Sequence, residues 1–395
     1  MSEREVVILS GVRTAIGDYG GSLKDIAPTE LAARVVKEAV ARAKVDPKDI
    51  GQCVFGNVIH TEPKDMYLSR VASVNGGLPF ETGSLTLNRL CGSGLQAIIS
   101  ASQYILLGDV DAAVAGGADS MSRAAYMNTT QRWGARMGDA KLLDAMTGAL
   151  SDPFEGAHMG VTAENVAAQC SITREQQDAF AVESHQRASR AIANGHFKSQ
   201  ILPIELKTRK GPVVFDTDEH VRSDATAEGM AKLKAVFIKE NGTVTAGNAS
   251  GLNDAAAAVV LMEKSVAETK GLKPMARLVA YGHAGLDPRI MGLGPVSAVK
   301  SALAKAGLKL DQMDVIESNE AFAAQALGVN KELGMNTAKV NPNGGAIALG
   351  HPIGATGAIL TVKALYELQR TGGRYALITM CIGGGQGIAA IIERM

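Results

Sequence analysis

Cys91 lies in the stretch "NRLCGSGLQAI" (88–98), where two patterns meet. The residues before it, "GSLTLNRL", alternate as a strand does, and those after it, "LQAIISASQYILLG", repeat at helical spacing. A cysteine at that join, followed by Gly92, Ser93 and Gly94, sits at a helix N-terminus. The helix dipole contributes about 1 kcal/mol there, up to ~2 when partly buried, and so is expected to lower the thiol pKa by about one unit from ~8.5. The thiolate is then a minority or near-equal form at pH 7, and a neighbouring base is needed to complete its activation as a nucleophile. The glycines let a substrate approach the backbone, and the N–H groups of the turn can face a developing oxyanion. The plainer reading is a small, buried, apolar cysteine.

Three other positions carry groups of the same kind. His351 stands in the glycine-rich "NPNGGAIALGHPIGATGA" (341–358), and Pro352 favours extended backbone at it. A histidine fixed in this way suits a general base; otherwise it is a turn histidine with a structural hydrogen bond. Cys381 ends an apolar strand in "ALITMCIGGGQGIAA" (376–390) and, taken alone, reads as a core cysteine. Asn319 and Glu320 in "ESNEAFAAQ" (317–325) end a strand before a helix. Asn319 can cap that helix, or hold a water or an oxyanion. The "GGGQG" at 383–387 is a weak lookalike of a nucleotide loop: it does not open a first βαβ unit, and no P-loop lysine exists.

The elements that must position these groups repeat. "VVKEAVARAKVDPKDIGQCVFGNV" (35–58) and "AVKSALAKAGLKLDQMDVIESNEAF" (298–322) share one plan: amphipathic helix, turn with Asp, strand ending in Asn. "CGSGLQAIISASQYILLGDVDAAVAGG" (91–117) matches "GATGAILTVKALYELQRTGGRYALITMCIGGG" (354–385) as glycine turn, helix, turn and apolar strand. Alternating strands and helices imply βαβ units and a mainly parallel sheet. Two such halves imply an α/β fold built as a pseudo-two-fold pair of domains, with ligands bound beyond the strand C-termini. Related strand tips can converge, bringing Cys91, Cys381 and His351 into one pocket. Two cysteines and a histidine without metal spacing suit a nucleophile and a base, and no metal is expected. The stretch 121–251 breaks the repeat and reads as an inserted, looser α+β segment. The expected domains are 1–120 with 252–273, the insert 121–251, and 274–395.

Composition narrows the function. Lys+Arg and Asp+Glu each total 40, so no overall charge points to nucleic acid or a membrane surface. The four cysteines, Cys53, Cys91, Cys170 and Cys381, include no C-x-x-C pair, which excludes a zinc ribbon or a thioredoxin-like motif and suits a reduced, cytoplasmic protein. The N-terminus "MSEREVVILSGVRT" has neither basic region nor long apolar region and reads as no signal peptide. The apolar run "AAAAVVLM" (255–262) is far short of a membrane span.

These motifs, in this order, resemble the thiolase family. "NRLCGSGLQAI", "NEAFAAQ", "NPNGGAIALGHPIGATGA" and "CIGGGQGIAA" each look like one of its active-site blocks, and "VRTAIG", "HMGVTAENVA" and "TAGNASGLNDAAAAV" extend the likeness over essentially the whole chain. "FGNVIHTEPKDMYLSRVASVNGG" looks most like bacterial broad-specificity β-ketothiolases. The resemblance implies layered α-β-α-β-α domains with an inserted loop domain that binds coenzyme A (CoA). It implies a ping-pong Claisen condensation of acyl-CoA with acetyl-CoA, and the reverse thiolysis, with no permanently bound cofactor. Cys91 would carry the acyl group, His351 would deprotonate Cys91, and Cys381 would move the proton at the α-carbon. Asn319 would position a water that forms one oxyanion hole with His351, and the N–H groups of Cys91 and Gly383 would form the other. Arg222, Ser250, Ala246, Phe237 and His158 match positions near CoA. Met159 and Met291 resemble residues lining the acyl pocket, and Ala321 and Phe322 fall in the substrate-facing "NEAFA" block. A homotetramer is implied as well.

Two residues depart from the family pattern. Ser318 replaces a small or branched apolar residue and adds a hydroxyl beside Asn319, and Gly229 replaces a serine that some relatives place near the adenine. A condensing enzyme of the ketoacyl-synthase type would lack the second cysteine, so Cys381 argues against it. An inactive acyl-CoA-binding protein would not need the reactive groups intact. The expected closeness of Cys91 and Cys381 would also permit a disulfide on oxidation.

Overall fold

The computed structural model describes residues 4–395. Nine strands carry the fold: β1 (Val6–Thr14), β2 (Gln52–Gly56), β3 (Gly83–Leu87), β4 (Ala112–Ser120), β5 (Asn253–Glu263), β6 (Ala276–Gly285), β7 (Val315–Ser318), β8 (Tyr375–Ile382) and β9 (Gln386–Arg394). They hydrogen-bond in the order β7-β8-β9-β6-β1-β5-β4-β2-β3. Two-residue strands, Gly17–Asp18 and Ile201–Leu202, add to β5 and β1.

The order contains the repeat. Outward from the centre, the N-terminal half reads first, last, fourth, second and third strand; the C-terminal half reads β6, β9, β8, β7 in the matching sequence. Its missing third strand survives as one parallel bridge, Ile316 to Val340. The halves join where β1 meets β6 antiparallel, at Val7–Arg277 and Ile8–Ala276.

The sheet is mixed, which corrects the expectation of a mainly parallel one. Among the nine strands, only β2–β3, β2–β4 and β7–β8 run parallel. The pairs β1–β5, β5–β4, β6–β9 and β8–β9 are antiparallel. Helix-strand alternation announces crossovers, but the last strand of each half returns without one, and an apolar run is blind to strand direction. Every residue of β5 is buried, as a strand covered on both faces must be.

Seven helices complete the architecture relevant here: α1 (Pro28–Ala43), α2 (Ser93–Leu107), α3 (Met159–Cys170), α4 (Arg174–Ala193), α5 (Gly294–Ala306), α6 (Ala323–Leu333) and α7 (Ile353–Thr371). Helix α1 covers β1 and β5 from outside, α5 covers β6 and β9, and α2 and α7 lie together between the halves. The layers are therefore α-β-α-β-α, as the resemblance implies. The central pair touches at glycines: a Cβ on Gly94 would lie 2.7 Å from the Ala358 nitrogen, and one on Gly357 2.3 Å from the Leu95 nitrogen. Any side chain there would drive the helices apart. The window Leu90–Leu107 has a mean hydropathy of 1.3 over 18 residues, enough by composition to cross a membrane. In the fold it spans α2, whose Leu95, Ile98, Ile99 and Ile105 are buried as the helix packs against α7 and β4, while Leu106 and Leu107 at its end are exposed.

The stretch between Ser120 and Asn253, the neighbouring ends of β4 and β5, carries α3, α4 and two small ribbons, Tyr126–Met127 with Leu143–Asp144 and Ile204–Thr208 with Gly211–Phe215. Helices α3 and α4 pack against α6 of the C-terminal half.

Candidate active site

Cys91 sits where the sequence puts it, between β3 and the first turn of α2. The turn is strained: Leu90 has φ +46°, a left-handed conformation that costs a non-glycine residue about 1 kcal/mol or more. Ser93 holds it, accepting from the Arg89 N–H at 2.8 Å and donating to the Leu90 carbonyl at 2.7 Å. The expectation of a dipole-lowered thiol is overturned. Burial is the larger effect and pushes the thiol up from 9.0 to about 11, although the N–H groups of Gly383 and Cys91 itself pull the other way. Those two N–H groups are the pair expected at an oxyanion, and both act on the sulfur. At rest Cys91 is a thiol.

His351 opens the matching turn before α7. It is buried, and desolvation alone lowers its pKa to about 4, so the ring is neutral. Its Nδ1 lies 2.7 Å from Thr356 Oγ1, and its Nε2 lies 3.4 Å from Asn319 Nδ2. Its backbone N–H donates to Asn253 Oδ1 at 2.9 Å, and Asn253 Nδ2 donates onward to the Gly17 carbonyl at 3.1 Å and to Asp18. Asp18 in turn pairs with His220. Asn319 does not cap a helix: α6 starts at Ala323 with Phe322 as its N-cap, which frees the Asn319 side chain to face the imidazole.

Cys381 is the penultimate residue of β8, and the glycines after it form a tight hairpin into β9, with Gly384 at φ +80° and Gly385 at φ +82°. A Cβ on Gly385 would lie 2.3 Å from the Leu286 carbonyl oxygen, so the turn tolerates nothing larger. Burial raises the Cys381 thiol well above its ordinary range, and the charge of Cys91 raises it further, because two thiolates would repel. All four cysteines are free thiols.

These groups meet in one cavity of about 490 Å³, lined by Cys91, His351, Cys381 and Gly383. Arg222, Ser250, Ala246, Phe237, His158, Met159, Met291, Ala321 and Phe322 also line it. Asn319 is buried behind this wall, in contact with His351. The insert delivers its share through braced loops. Glu164 accepts from the N–H groups of Thr243 and Val244, and Asn248 bonds Asp178, which fixes the loop carrying Ala246, Ala249 and Ser250. The Ser250 N–H then donates to the Ala321 carbonyl at 3.0 Å. His158 accepts the Gly160 N–H at Nδ1, so its proton sits on Nε2, and its ring stacks on Phe237 with centroids 4.6 Å apart.

A second pocket of about 330 Å³ shares His220, Arg222 and Ala246 with the first and reaches Gly229, Met230 and Leu233. Gly229 lies on its wall, its N–H held by Thr226 Oγ1. Ser318 is buried in β7 and does not line the cavity, so its hydroxyl has no direct access to the site. Among the described residues no cluster of His, Cys, Asp and Glu could hold a metal ion.

Sequence reasoning missed several residues. Thr356, Asn253 and Asp18 hold His351, and Met121, Met146, Leu150 and Ile353 complete the cavity wall. Asp119 is buried where β2, β4 and α7 meet, and accepts from Asn57 Nδ2 and from the N–H groups of Val58, Ile59 and Gly354. Burial raises its pKa to about 7. Four donors and no acceptor nevertheless suit the ionised carboxylate. Thr356 and Ile353 lie within the glycine-rich stretch 341–358 and Asn253 within "TAGNASGLNDAAAAV"; the others lie outside the stretches quoted for the site.

Residues 6–265 match the family model "Thiolase, N-terminal domain", and residues 272–394 match "Thiolase, C-terminal domain". The chain is 69% identical over 392 residues to beta-ketothiolase BktB of Cupriavidus necator, covering 99% of this chain and 100% of that one. It is 50% identical to an acetyl-CoA acetyltransferase of Chromobacterium violaceum, with the same coverage. The crystal structure of the Bacillus anthracis acetyl-CoA acetyltransferase superposes with a TM-score of 0.97 at 46% identity, covering 100% of this chain and 99% of that one. That of human mitochondrial 3-ketoacyl-CoA thiolase in complex with CoA gives 0.96 at 43% identity, covering 99% and 98%.

Proposed function

The chain belongs to the thiolase family, and from that premise we propose how its residues divide the work. The reaction is the condensation of an acyl-CoA with acetyl-CoA to a 3-ketoacyl-CoA, and its reverse thiolysis. CoA thioesters are the ligands. The observation that carries the assignment is the convergence of Cys91, Cys381 and His351 from both halves on one cavity.

Cys91 and His351 start neutral, so deprotonation accompanies attack. His351 Nε2 takes the Cys91 proton as the sulfur bonds to the thioester carbonyl carbon. The N–H groups of Cys91 and Gly383 face the oxyanion. The tetrahedral intermediate collapses by breaking the bond to the CoA sulfur, which leaves with the Cys381 proton. Cys381 is now a thiolate, and with Cys91 acylated no second thiolate can form beside it. Acetyl-CoA enters, and Cys381 takes its α-proton. The enolate oxygen faces His351 and a water positioned by Asn319, and the α-carbon bonds to the acyl carbon. Cleavage of the thioester to Cys91 returns the His351 proton to that sulfur. In thiolysis the same steps run backwards.

The CoA chain would follow the insert, residues 121–251, along Arg222, Ala246, Ser250, Phe237 and His158, with its nucleotide in the second pocket. Met159, Met291, Ala321 and Phe322 would flank the reacting acyl groups, and the methionines suit chains of varied shape. A cytoplasmic homotetramer belongs to this reading. The tetramer is supported by the exposed apolar side chains of the ribbon segment, Trp133 at 89% and Met137 at 96%. The cytoplasmic location is supported by four free thiols.

The test is peptide mass spectrometry after exposure to acetyl-CoA without a second substrate. One acetyl group on the Cys91 peptide is expected, and none in Cys91→Ser. An adduct on another residue, or malonyl thioesters condensing faster than acetyl-CoA, would defeat the assignment.

A further inference from the structure

The geometry points to Thr356 as the residue that decides which nitrogen of His351 carries the proton. The inference rests on the reading of His351 as the base for Cys91.

Thr356 Oγ1 has two neighbours, His351 Nδ1 at 2.7 Å and the Pro352 carbonyl oxygen at 3.0 Å. A hydroxyl has one hydrogen to donate, and a carbonyl oxygen can only accept. The hydroxyl hydrogen therefore goes to Pro352, and the hydroxyl oxygen must accept from Nδ1–H. A neutral imidazole has one N–H, so Nε2 is left with its lone pair. Nε2 is the nitrogen that faces Asn319, which donates to it. Both neighbours of the ring thus require the same tautomer. Thr356 is buried and lies off the cavity wall, so bulk solvent does not compete for Nδ1.

The consequence is chemical. With the proton on Nε2 the ring could not accept hydrogen from Cys91, and in a serine protease the wrong tautomer of the catalytic histidine lowers turnover by about 10⁴. Thr356 does not line the cavity; it is a positioning residue. When His351 takes the Cys91 proton, Nδ1–H is already satisfied and only Nε2 changes, so no group has to turn during the step.

Thr356→Val keeps the shape and removes the acceptor, and Thr356→Ser restores it. Three measurements separate the outcomes: the single-turnover rate of Cys91 acetylation, the split between KM and kcat, and long-range ¹H–¹⁵N spectra of protein with labelled histidine. Expected for Thr356→Val is an acetylation rate lower by about 10²-fold, by analogy with the loss of residues that orient a catalytic group, with KM unchanged. The His351 signals should change from the Nδ1–H pattern toward Nε2–H. Thr356→Ser should stay within a few-fold of the parent in both rate and spectrum. The inference is overturned if Thr356→Val keeps the parent rate and Nδ1–H spectrum while His351→Ala loses acetylation. If His351→Ala itself acetylates normally, the base assignment fails, and the catalytic meaning of Thr356 fails with it. The spectrum alone still reports whether Thr356 sets the tautomer, even where a variant loses activity for another reason.

Discussion

Two helix N-termini face each other across the centre of the molecule, and they are built differently. The turn before α2 is strained at Leu90 and presents Cys91 at the cavity surface. The turn before α7 holds His351 from both sides, its ring on Thr356 and its backbone on Asn253. Neither group is charged at rest, because burial raises the thiol to about 11 and lowers the imidazole to about 4. The repeat thus supplied two similar frames. One exposes a nucleophile at the cost of backbone strain, and the other immobilises a base by hydrogen bonds.

The largest effect expected from breaking this pair is at the nucleophile. Cys91→Ser should lower turnover on the order of 10⁴-fold or more, since removing the nucleophile removes the covalent route. Cys381→Ser touches both half-reactions: condensation should fall by about 10² to 10⁴-fold, the usual contribution of a general acid–base, while acetylation of Cys91 should slow by less, because the serine hydroxyl can still donate to the departing CoA sulfur. Condensation at the parent rate in Cys381→Ser would mean that the two sulfurs are not divided as proposed.

The next effect is on the frame of the base. Asn253→Ala leaves the His351 N–H without its acceptor and unties the loop from Gly17 and Asp18. Displacement of a catalytic group by about 1 Å costs roughly 10²-fold, so kcat should fall by about 10 to 10² with a smaller change in KM. Thermal unfolding measured alongside identifies a mere folding defect. A parent kcat in a stably folded Asn253→Ala protein would show that the backbone bond is idle.

The chemistry was legible in the sequence because it lies in turns whose glycines and rare residues are local signals. Cys91, His351, Cys381 and Asn319 could be picked out one by one, and the repeat suggested that their tips converge. Strand direction was not legible: the hairpin from β8 to β9 turns on Gly383 to Gly385, and an apolar strand has the same pattern run either way. Thr356 lay in the stretch singled out for His351, but nothing marked it as the partner of that ring, because the contact depends on how the chain turns through Pro352 between them. The sign of the Cys91 shift was hidden for a deeper reason. The dipole is a property of the helix and can be read from local sequence. Desolvation depends on what covers the turn, and the segment around Gly383, almost three hundred residues on, takes part in covering it.

That sign gives the last and smallest effect, in the resting enzyme. A thiol raised to about 11 is almost wholly protonated at pH 7, and its thiolate fraction grows about tenfold per pH unit until the pKa is approached. Alkylation of Cys91 by iodoacetamide, followed on its own peptide without substrate, should therefore climb steadily from pH 7 to pH 10 with no plateau. A cysteine held as an ion pair with its histidine behaves otherwise: the thiolate is formed well below neutrality and the rate is flat across this range. The histidine gives an independent arm. With its pKa near 4, it loses its capacity to accept a proton only as the pH falls through that value, so the acid limb of turnover should lie near pH 4 rather than pH 6.5. A plateau in alkylation below pH 8 together with an acid limb above pH 6 would mean that the two turns share a proton before substrate arrives, and the contrast between a neutral nucleophile and a neutral base would be lost.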